Sequence, residues 1–337
     1  MAILGIRRLT YGVDALDQCI QFFSDYGLAK LEADERSALF ETRNGAQVEL
    51  LTLDHPSLPV SALAGIGVHQ CTWAVDSDES LERLVKNLKR DHEISDNPSG
   101  GVRFVTHFGQ SIGLEVFTPR RMSCAPSPFN APGLINRLNE PRKWIDRPVP
   151  KTINHTVWVY PDVNQAFDFY RDRLNFRLTD VQKGFGVYVR ADGAYEHHNI
   201  FIADGHAIFP QYDGKLRFQH ANFGLEDIDE IMVGKNYLER RGYNLEGWGL
   251  GRHRISSEAF LYVPCPAGGD AEYGADGDAL DDCWRPRIWE AAFGTAIYVH
   301  NLPDWLSHQP SWDVGYVTPQ TARHFSKSEL RDGQPIL

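Results

Sequence analysis

One pattern recurs four times along this 337-residue chain and limits the folds available to it. A strand-like segment is followed by a helical pattern, with apolar residues at steps of three and four, and then by short strand candidates. The first copy begins at LGIRRLTYGV, the second at VHQCTWAV, the third at INHTVWVY and the fourth at FQHANFGLEDID. A repeated unit of this kind buries its apolar face against its neighbours. We therefore predict four βαβββ units.

The helices of these units are predicted by their apolar faces. In chain order the faces are Leu16, Cys19, Ile20 and Phe23; Leu81, Leu84, Val85 and Leu88; Val163, Ala166, Phe167 and Tyr170; and Ile228, Ile231, Met232 and Leu238. Asp162 precedes the third helix, and Gln165 follows it by three residues, which resembles a capping box. The pattern therefore also predicts where the third helix begins.

Two such units are expected to make one domain, which gives an α+β protein of two domains. The joint is predicted in the stretch before residue 151, because six prolines lie between Pro126 and Pro150 and proline disfavours helices and central strands. We expect an N-terminal domain over residues 1–140, a second domain over 150–280 and an extension over 281–337. The extension is rich in tryptophan and proline, and its structure cannot be assigned from the sequence.

Composition excludes several classes of function. A net charge of −11 argues against a nucleic acid or an anionic membrane as partner. The chain has no apolar run long enough for a transmembrane helix, and its N-terminus lacks the pattern of a signal peptide. The five cysteines are scattered without a CxxC pair, which indicates reduced thiols and a cytoplasmic protein.

Three polar residues stand in or beside strand-like segments of the second half. His155 lies in INHTVWVY, His220 in RFQHANFGL and Glu272 in GDAEYG. Two neutral imidazoles and one carboxylate on one face of a metal ion form a facial triad, which leaves open positions for a substrate and oxygen. These three residues are our candidate metal ligands.

The stretch GRHRISSEAFLYVPCPAGGDAEYG, residues 251–274, resembles the signature of type I extradiol ring-cleavage dioxygenases. That family belongs to the vicinal oxygen chelate superfamily, whose building unit is the βαβββ module. The matching positions are Gly251, His253, Leu261, Tyr262, Pro266, Gly268 and Glu272. One departure follows the signature histidine, where Arg254, Ile255 and Ser256 replace the polar pair that the family commonly has.

The resemblance implies a fold, a metal and a set of roles. The fold would be that of the vicinal oxygen chelate, or glyoxalase-like, proteins. Iron(II) would be bound by His155, His220 and Glu272, and manganese(II) shares this ligand set. His198, in YEHHNIF, matches the acid–base residue, and His253 with Tyr262 matches the remaining pair beside the substrate. Because side chains alternate along a strand, only one of His197 and His198 is expected to face the metal.

The resemblance also implies extradiol cleavage of a catechol by O2 in a protein that forms a homo-oligomer. Two alternatives stay open at this point. One is another metalloenzyme on the same scaffold, such as a dioxygenase of 2-oxo acids, and the other is a non-enzymatic protein that binds an aromatic ligand. Whether the catechol has one ring or two is also open. Phe185, Tyr188 and Trp248 are candidate cavity walls, and an insert over 203–217 is expected to form a loop near the opening.

The N-terminal half serves as an internal comparison. Alignment of the repeats places Arg7 or Arg8 at the position of His155, His69 at that of His220 and Glu115 at that of Glu272. An arginine cannot bind a divalent cation, because it stays protonated. We therefore predict a metal site in the second half only, with His69 and Glu115 hydrogen-bonded to the arginine.

Overall fold

A computed structural model of the chain describes residues 2–209, 211–245 and 247–318. The order of its elements confirms the predicted α+β class and the four βαβββ units. The first unit comprises β1 (Ile3–Val13), α1 (Leu16–Tyr26), β2 (Ala29–Ala33), β3 (Ser37–Glu41) and β4 (Gln47–Thr52). The second comprises β5 (Gly67–Val75), α2 (Asp78–Leu88), β6 (Ser95–Asp96), β7 (Val102–Val105) and β8 (Ser111–Val116).

The second half repeats this order, with one addition between its units. The third unit comprises β9 (Thr152–Tyr160), α3 (Val163–Leu174), β10 (Arg177–Gln182), β11 (Gly186–Arg190) and β12 (Ile200–Asp204). The added segment contains a short helix, α4 (Gly205–Ile208), where a loop was expected. The fourth unit comprises β13 (Arg217–Gly224), α5 (Ile228–Glu239), β14 (Leu250–Arg252), β15 (Ala259–Pro264) and β16 (Asp270–Ala275).

Local chemistry sets the helix ends. The Asp162 side chain accepts hydrogen bonds from the backbone N–H groups of Asn164 and Gln165, so the predicted cap of α3 is confirmed. Helix α1 ends at Gly27, whose φ of 105° is left-handed. A Cβ atom at Gly27 would lie 2.2 Å from the carbonyl oxygen of Pro148. Glycine is therefore required both by the turn and by the proline-rich segment that packs on it.

The strands form two sheets with the same internal order. The N-terminal sheet runs β2-β3-β4-β1-β5-β8-β7-β6. In the C-terminal sheet the strands of the third and fourth units run β14-β15-β16-β13-β9-β12-β11-β10. In each sheet the first strands of the two units are antiparallel neighbours, β1 with β5 and β9 with β13. This pairing brings the first strands of both units, and the last strand of each, to the middle of the sheet.

Apolar packing is continuous between the two sheets. Tyr26 of α1 stacks on Tyr273 of β16 with ring centroids 4.1 Å apart, and the Tyr273 hydroxyl donates to the Tyr26 carbonyl oxygen at 2.8 Å. Trp73 of β5 packs edge-on against Phe176, at 5.0 Å. These aromatic side chains are fully buried, so the core spans both halves of the chain.

The described part of the tail extends the second sheet. It forms β17 (Arg287–Trp289), α6 (Ala291–Thr295), β18 (Tyr298–Val299), a 3-10 helix (Asp304–Leu306) and β19 (Val314–Tyr316). Strand β17 pairs parallel with β10, β19 pairs with β17, and β18 pairs with β14 at the other edge. Residues 319–337 of the predicted extension lie outside the described part of the chain. Among the described residues, no helix has the length and apolar character needed to cross a bilayer.

Candidate metal centre

Three neighbouring strands in the middle of the second sheet carry the candidate ligands. His155 lies on β9, His220 on β13 and Glu272 on β16. Asn222 of β13 pairs across the sheet with both His155 and Glu272. The strand register therefore brings together side chains from three distant parts of the sequence.

The donor atoms of these side chains converge. His155 Nε2 lies 3.3 Å from His220 Nε2, and Glu272 Oε2 lies 3.2 Å from the former and 3.1 Å from the latter. Neighbouring ligands around a cation with bonds of about 2.1 Å are separated by about 3 Å. Within the described residues, no other group of three His, Cys, Asp or Glu side chains brings its donor atoms together in this way.

The hydrogen bonds of His220 Nδ1 and of the Glu272 carboxylate suit a bound cation. The Nδ1 atom of His220 is held by the side-chain oxygen of Gln219, which leaves Nε2 with its lone pair facing the other ligands. Asn222 donates to Glu272 Oε2 at 2.8 Å, whereas Glu272 Oε1 is buried without a hydrogen-bond partner among the described residues. Two facing lone pairs and an unpartnered carboxylate oxygen are costly in a buried site. The donor set therefore fits a divalent metal ion.

Burial tunes the ionisation of the same groups. It lowers the pKa of His155 to about 4, which keeps this imidazole neutral and able to bind a metal. Burial alone would raise the pKa of Glu272, but the close approach of His220, with His155 and His253 nearby, holds it well below its ordinary value. The carboxylate is therefore ionised, as a metal ligand must be.

A second buried acid stands behind His155 and escaped sequence analysis. Glu258 Oε2 lies 3.9 Å from His155 Nδ1, on the side away from Glu272. Burial, with Glu272 nearby, raises the pKa of Glu258 well above its ordinary value. The only signal in the sequence was an acidic residue at the start of the apolar run AFLYV, five residues after His253.

A cavity of about 700 Å³ opens beside the candidate ligands, two of which, His155 and His220, line it. Its lining includes all three predicted walls, Phe185, Tyr188 and Trp248. Trp305 of the tail also lines it and stacks on Phe185, with ring centroids 5.7 Å apart. The sequence assigned no structure to the tail, so the contribution of Trp305 to the cavity was missed. The insert reaches the same cavity through Ala207 and Ile208 of α4.

His198 faces this cavity, and His197 does not. The His198 ring stacks on that of His155 at 4.0 Å and meets the Tyr188 ring edge-on at 4.9 Å. His197 lies behind it, with its Nδ1 atom 3.2 Å from His198 Nδ1. Burial lowers the pKa of His198 well below its ordinary value, so that the imidazole is neutral. The expectation that one histidine of the pair faces the metal agrees with this geometry.

His253 and Tyr262 form a hydrogen-bonded pair on another wall of the cavity. His253 Nδ1 donates to the carbonyl oxygen of Thr295 at 2.6 Å, so its Nε2 atom is an acceptor when the ring is neutral. The Tyr262 hydroxyl lies 3.3 Å from that Nε2 and can donate to it. Burial raises the pKa of Tyr262 well above its ordinary value, which keeps the phenol protonated.

The N-terminal sheet repeats the strand arrangement without the ligands. Strands β1, β5 and β8 correspond to β9, β13 and β16, and the register of their pairing identifies the equivalent residues. The residues equivalent to His155, His220 and Glu272 are Arg8, Gln70 and Gly113. The prediction that His69 and Glu115 occupy two of these positions is therefore wrong. His69 lies one residue from the equivalent position, and Glu115 lies two residues from it.

The two misaligned residues have different partners. Glu115 forms ion pairs with Arg7 at 2.9 Å and with Arg8 at 3.4 Å, which confirms the predicted contact with an arginine. His69 instead contacts the Gly65 carbonyl oxygen at 2.8 Å and the Ser61 hydroxyl at 3.3 Å. The predicted bond between His69 and the arginine is therefore wrong.

Comparison with known proteins gives a family model for part of the second half and curated relatives that match part of the chain. The family model described as the Glyoxalase/Bleomycin resistance protein/Dioxygenase superfamily matches residues 152–247. Metapyrocatechase 2 of Cupriavidus necator is 32% identical over 173 residues, which cover 51% of this chain and 50% of that protein. The chain thus spans about half the length of this relative.

Solved structures extend the similarity of fold to nearly the whole chain. A Mn(II)-bound glyoxalase from Novosphingobium aromaticivorans superposes with a TM-score of 0.69 at 22% identity, covering 92% of this chain and 96% of that one. BphC, a halotolerant catechol dioxygenase, gives a TM-score of 0.68 at 17% identity, covering 94% and 99%. The chain therefore has the glyoxalase-like fold, and its residues 152–247 match the model of the glyoxalase/bleomycin resistance protein/dioxygenase superfamily.

Proposed function

We propose that this protein is an iron(II)-dependent extradiol dioxygenase, which opens a catechol ring beside its two hydroxyl groups with O2. The observation that carries the proposal is the convergence of His155, His220 and Glu272 beneath an aromatic-walled cavity. The relative named metapyrocatechase 2 and the similarity in fold to a catechol dioxygenase support it.

The charge of the ligand set suits both a divalent metal ion and the substrate. Two neutral imidazoles and one carboxylate would leave a net charge of about +1 on a divalent ion, which a catechol monoanion would neutralise in the buried cavity. A ferrous ion bound there would supply the redox chemistry that allows ground-state dioxygen to react with an aromatic ring. Manganese(II) accepts the same donors, and metal analysis of the active protein distinguishes the two ions.

Tyr262 and His253 would hold the ionised catechol oxygen. The Tyr262 hydroxyl is protonated and lies at the cavity wall, where it can donate a hydrogen bond to an anionic oxygen. His253, oriented by the Thr295 carbonyl oxygen, accepts this single proton at Nε2 while no ligand is bound, so the hydroxyl would turn towards the catechol oxygen when the substrate enters. These contacts would favour the monoanion over the neutral catechol.

His198 would accept the second catechol proton and later return a proton to the product side. Its Nδ1 edge is turned towards His197, so the Nε2 edge is the one available to a bound ligand. Burial keeps the His198 imidazole neutral, so it is ready to accept a proton, and the imidazolium that forms would return it. General acid–base assistance of this kind contributes about 10²–10⁴ in rate.

The proposal also covers the roles of the two domains, the small-molecule partners and the oligomeric state. We take residues 150–280 as the catalytic domain and 1–140 as a related domain without a metal, with a catechol and O2 as the small-molecule partners. A homo-oligomer is supported by exposed apolar side chains on the proline-rich segment, including Ile135 and Trp144. A cytoplasmic location is supported by the scattered cysteines without a CxxC pair. Light scattering measures the oligomeric state, and a monomeric mass would remove that part of the proposal.

The two alternative functions, a binding protein and a metalloenzyme of 2-oxo acids, explain fewer of the residues at the site. A protein that only binds an aromatic ligand has no need to bury two imidazoles against a carboxylate, because burying such groups is costly. A metalloenzyme acting on 2-oxo acids would use the same three ligands but would have no use for the Tyr262–His253 pair and His198 together. The non-metal residues of the cavity therefore favour a catechol.

The cavity lining also predicts which catechols are accepted. Among the described residues that line it there is no lysine or arginine, whereas Asp270 is present and the walls are largely aromatic. We expect 2,3-dihydroxybiphenyl and catechol to be cleaved, and protocatechuate to give a kcat/KM at least tenfold lower because its carboxylate lacks a cationic partner. The test is anaerobic reconstitution with iron(II), followed by oxygen uptake and product absorbance with each compound. An iron-loaded protein inert towards all three would overturn the proposed function.

Trp305 provides a separate test of the cavity wall. We expect Trp305→Ala to raise KM for 2,3-dihydroxybiphenyl about tenfold with little change in kcat, because it removes apolar contact remote from the reacting oxygens. Trp312→Ala is the matched control, since Trp312 packs on Phe293 and does not line the cavity. Equal KM values for the two variants would exclude Trp305 from substrate binding.

A further inference from the structure

A line of buried hydrogen bonds leads away from His198 into the protein. His198 Nδ1 lies 3.2 Å from His197 Nδ1, and His197 Nε2 lies 3.1 Å from Asp180 Oδ2. His198, His197 and Asp180 are all buried. The line begins at the cavity wall and ends beside the tail strand β17, which pairs with β10. It therefore connects His198, the proposed base, to the Asp180 carboxylate, which lies away from the cavity.

The tail fixes this carboxylate in place. Asp180 pairs with Arg287 across β10 and β17, and its Oδ1 atom accepts from the Arg287 backbone N–H at 2.7 Å. Its Oδ2 atom accepts from the Trp289 indole N–H at 2.9 Å. An ionised carboxylate has only acceptor sites. The third contact must therefore be a hydrogen bond that His197 Nε2 donates.

This direction determines the tautomers of both histidines. A neutral imidazole carries one N–H, so a proton on His197 Nε2 leaves Nδ1 as an acceptor. The facing atom, His198 Nδ1, must then carry the proton and donate it. The Nε2 atom of His198, on the opposite edge of the ring, is left with a free lone pair.

We propose that Asp180 and His197 are positioning residues that hold His198 in its Nδ1–H tautomer, so that Nε2 is ready to accept a proton from a bound catechol. The inference rests on the proposed function for the identity of that proton donor. The tail contributes to the site through β17, because Arg287 and Trp289 hold the Asp180 carboxylate. The role resembles that of the aspartate in a serine protease triad, which orients a histidine and selects its tautomer.

Asp180→Asn in a Trp289→Phe background tests the inference, and Trp289→Phe alone should keep the native tautomers. The indole N–H must be removed because it donates to the same Asp180 oxygen that His197 faces. The amide N–H₂ of the new side chain can then donate to His197 Nε2, which moves the His197 proton to Nδ1. His198 Nδ1 then becomes the acceptor, and its proton moves to Nε2. Long-range ¹H–¹⁵N spectra of the full chain, labelled at histidine and loaded with Zn(II), distinguish the two tautomers. A His198→Gln sample identifies the His198 signals.

We expect the Nδ1–H form of His198 in the native protein and in Trp289→Phe, and the Nε2–H form in the double variant. In the iron(II) protein the same change should lower kcat by about 10²–10⁴, with KM altered much less. Asp192→Asn is the matched control, because Asp192 is a partly buried carboxylate that likewise accepts from a backbone N–H, that of Ile3, and from a side-chain N–H, that of Asn175. It should leave kcat and the His198 tautomer unchanged.

A second variant and two contradicting outcomes complete the test. If the double variant does not fold, the variant His197→Phe is tested in its place. A phenyl ring suits position 197 because that side chain packs among Tyr188 and Trp284. Without the His197 acceptor, His198 should lose its preference for Nδ1–H. An Nε2–H form in the native protein, or one tautomer shared by the native protein and the double variant, would overturn the inference even if the enzyme cleaves catechols. A native protein inert with catechols but showing the expected tautomers would instead contradict the proposed function.

Discussion

Replacing His198 with alanine should lower kcat by about 10²–10⁴ while the protein keeps its metal ion. Among the described residues, four histidines line the cavity, and three of them are engaged: His155 and His220 face Glu272, and His253 is held between Thr295 and Tyr262. The fourth, His198, presents a ring edge that is free to exchange a proton with a bound substrate. The loss should therefore fall on turnover and not on metal binding.

Two measurements separate this role from a structural one. Metal content by mass spectrometry should be the same in His198→Ala and in the native protein, because His198 stacks on His155 without sharing its donor atoms. His206→Ala is the matched control, since His206 packs on Tyr212 near the cavity without lining it. Normal turnover by a fully loaded His198→Ala protein would rule out the acid–base role.

Replacing His220 with alanine should abolish both metal binding and catechol cleavage. The change removes one of three donors, and loss of even an outer partner of a metal ligand typically weakens binding about 10–100-fold. Excess metal should raise the thermal stability of the native protein, because a ligand at 100 times its Kd stabilises the folded state by about 2.7 kcal/mol. That metal-dependent rise in Tm should disappear in His220→Ala.

The N-terminal half supplies the control for this experiment. His69 is a buried histidine on the equivalent strand, but among the described residues its ring nitrogens hydrogen-bond to Ser61 and Gly65 and to no other ligand-type side chain. His69→Ala should therefore bind one metal ion per chain and show the native rise in Tm. Full metal content in His220→Ala, or loss of metal from His69→Ala, would place the metal elsewhere.

Local patterns were enough to predict the four modules. The apolar steps in each helix and the Asp162 cap depend on residues close in sequence, and the structure confirms them. Strand register depends on contacts between distant segments, so the sequence misplaced the N-terminal counterparts. Gln70 and Gly113 occupy the positions that had been given to His69 and Glu115, because neither helical nor strand periodicity fixes a pairing between strands.

The parts of the site that sequence analysis missed are those that depend on tertiary contacts. Trp305 reaches the cavity from the tail, and Asp180 is held by Arg287 and Trp289, more than one hundred residues later. Short tail strands at the sheet edges show no clear periodicity, so the sequence could not show where they pair. Glu258 was missed for a related reason, since its proximity to His155 follows from the packing of β15 within the sheet.

The central claim is that the three ligands and the residues above them direct O2 into a catechol ring beside its hydroxyl groups. The most direct test is to supply ¹⁸O₂ to the iron(II) protein with 2,3-dihydroxybiphenyl and to determine the product by mass spectrometry. We expect both labelled atoms in one ring-opened product, with the broken bond next to the diol carbons. Unlabelled product, cleavage between the two hydroxylated carbons, or no product from a fully loaded protein would contradict the claim.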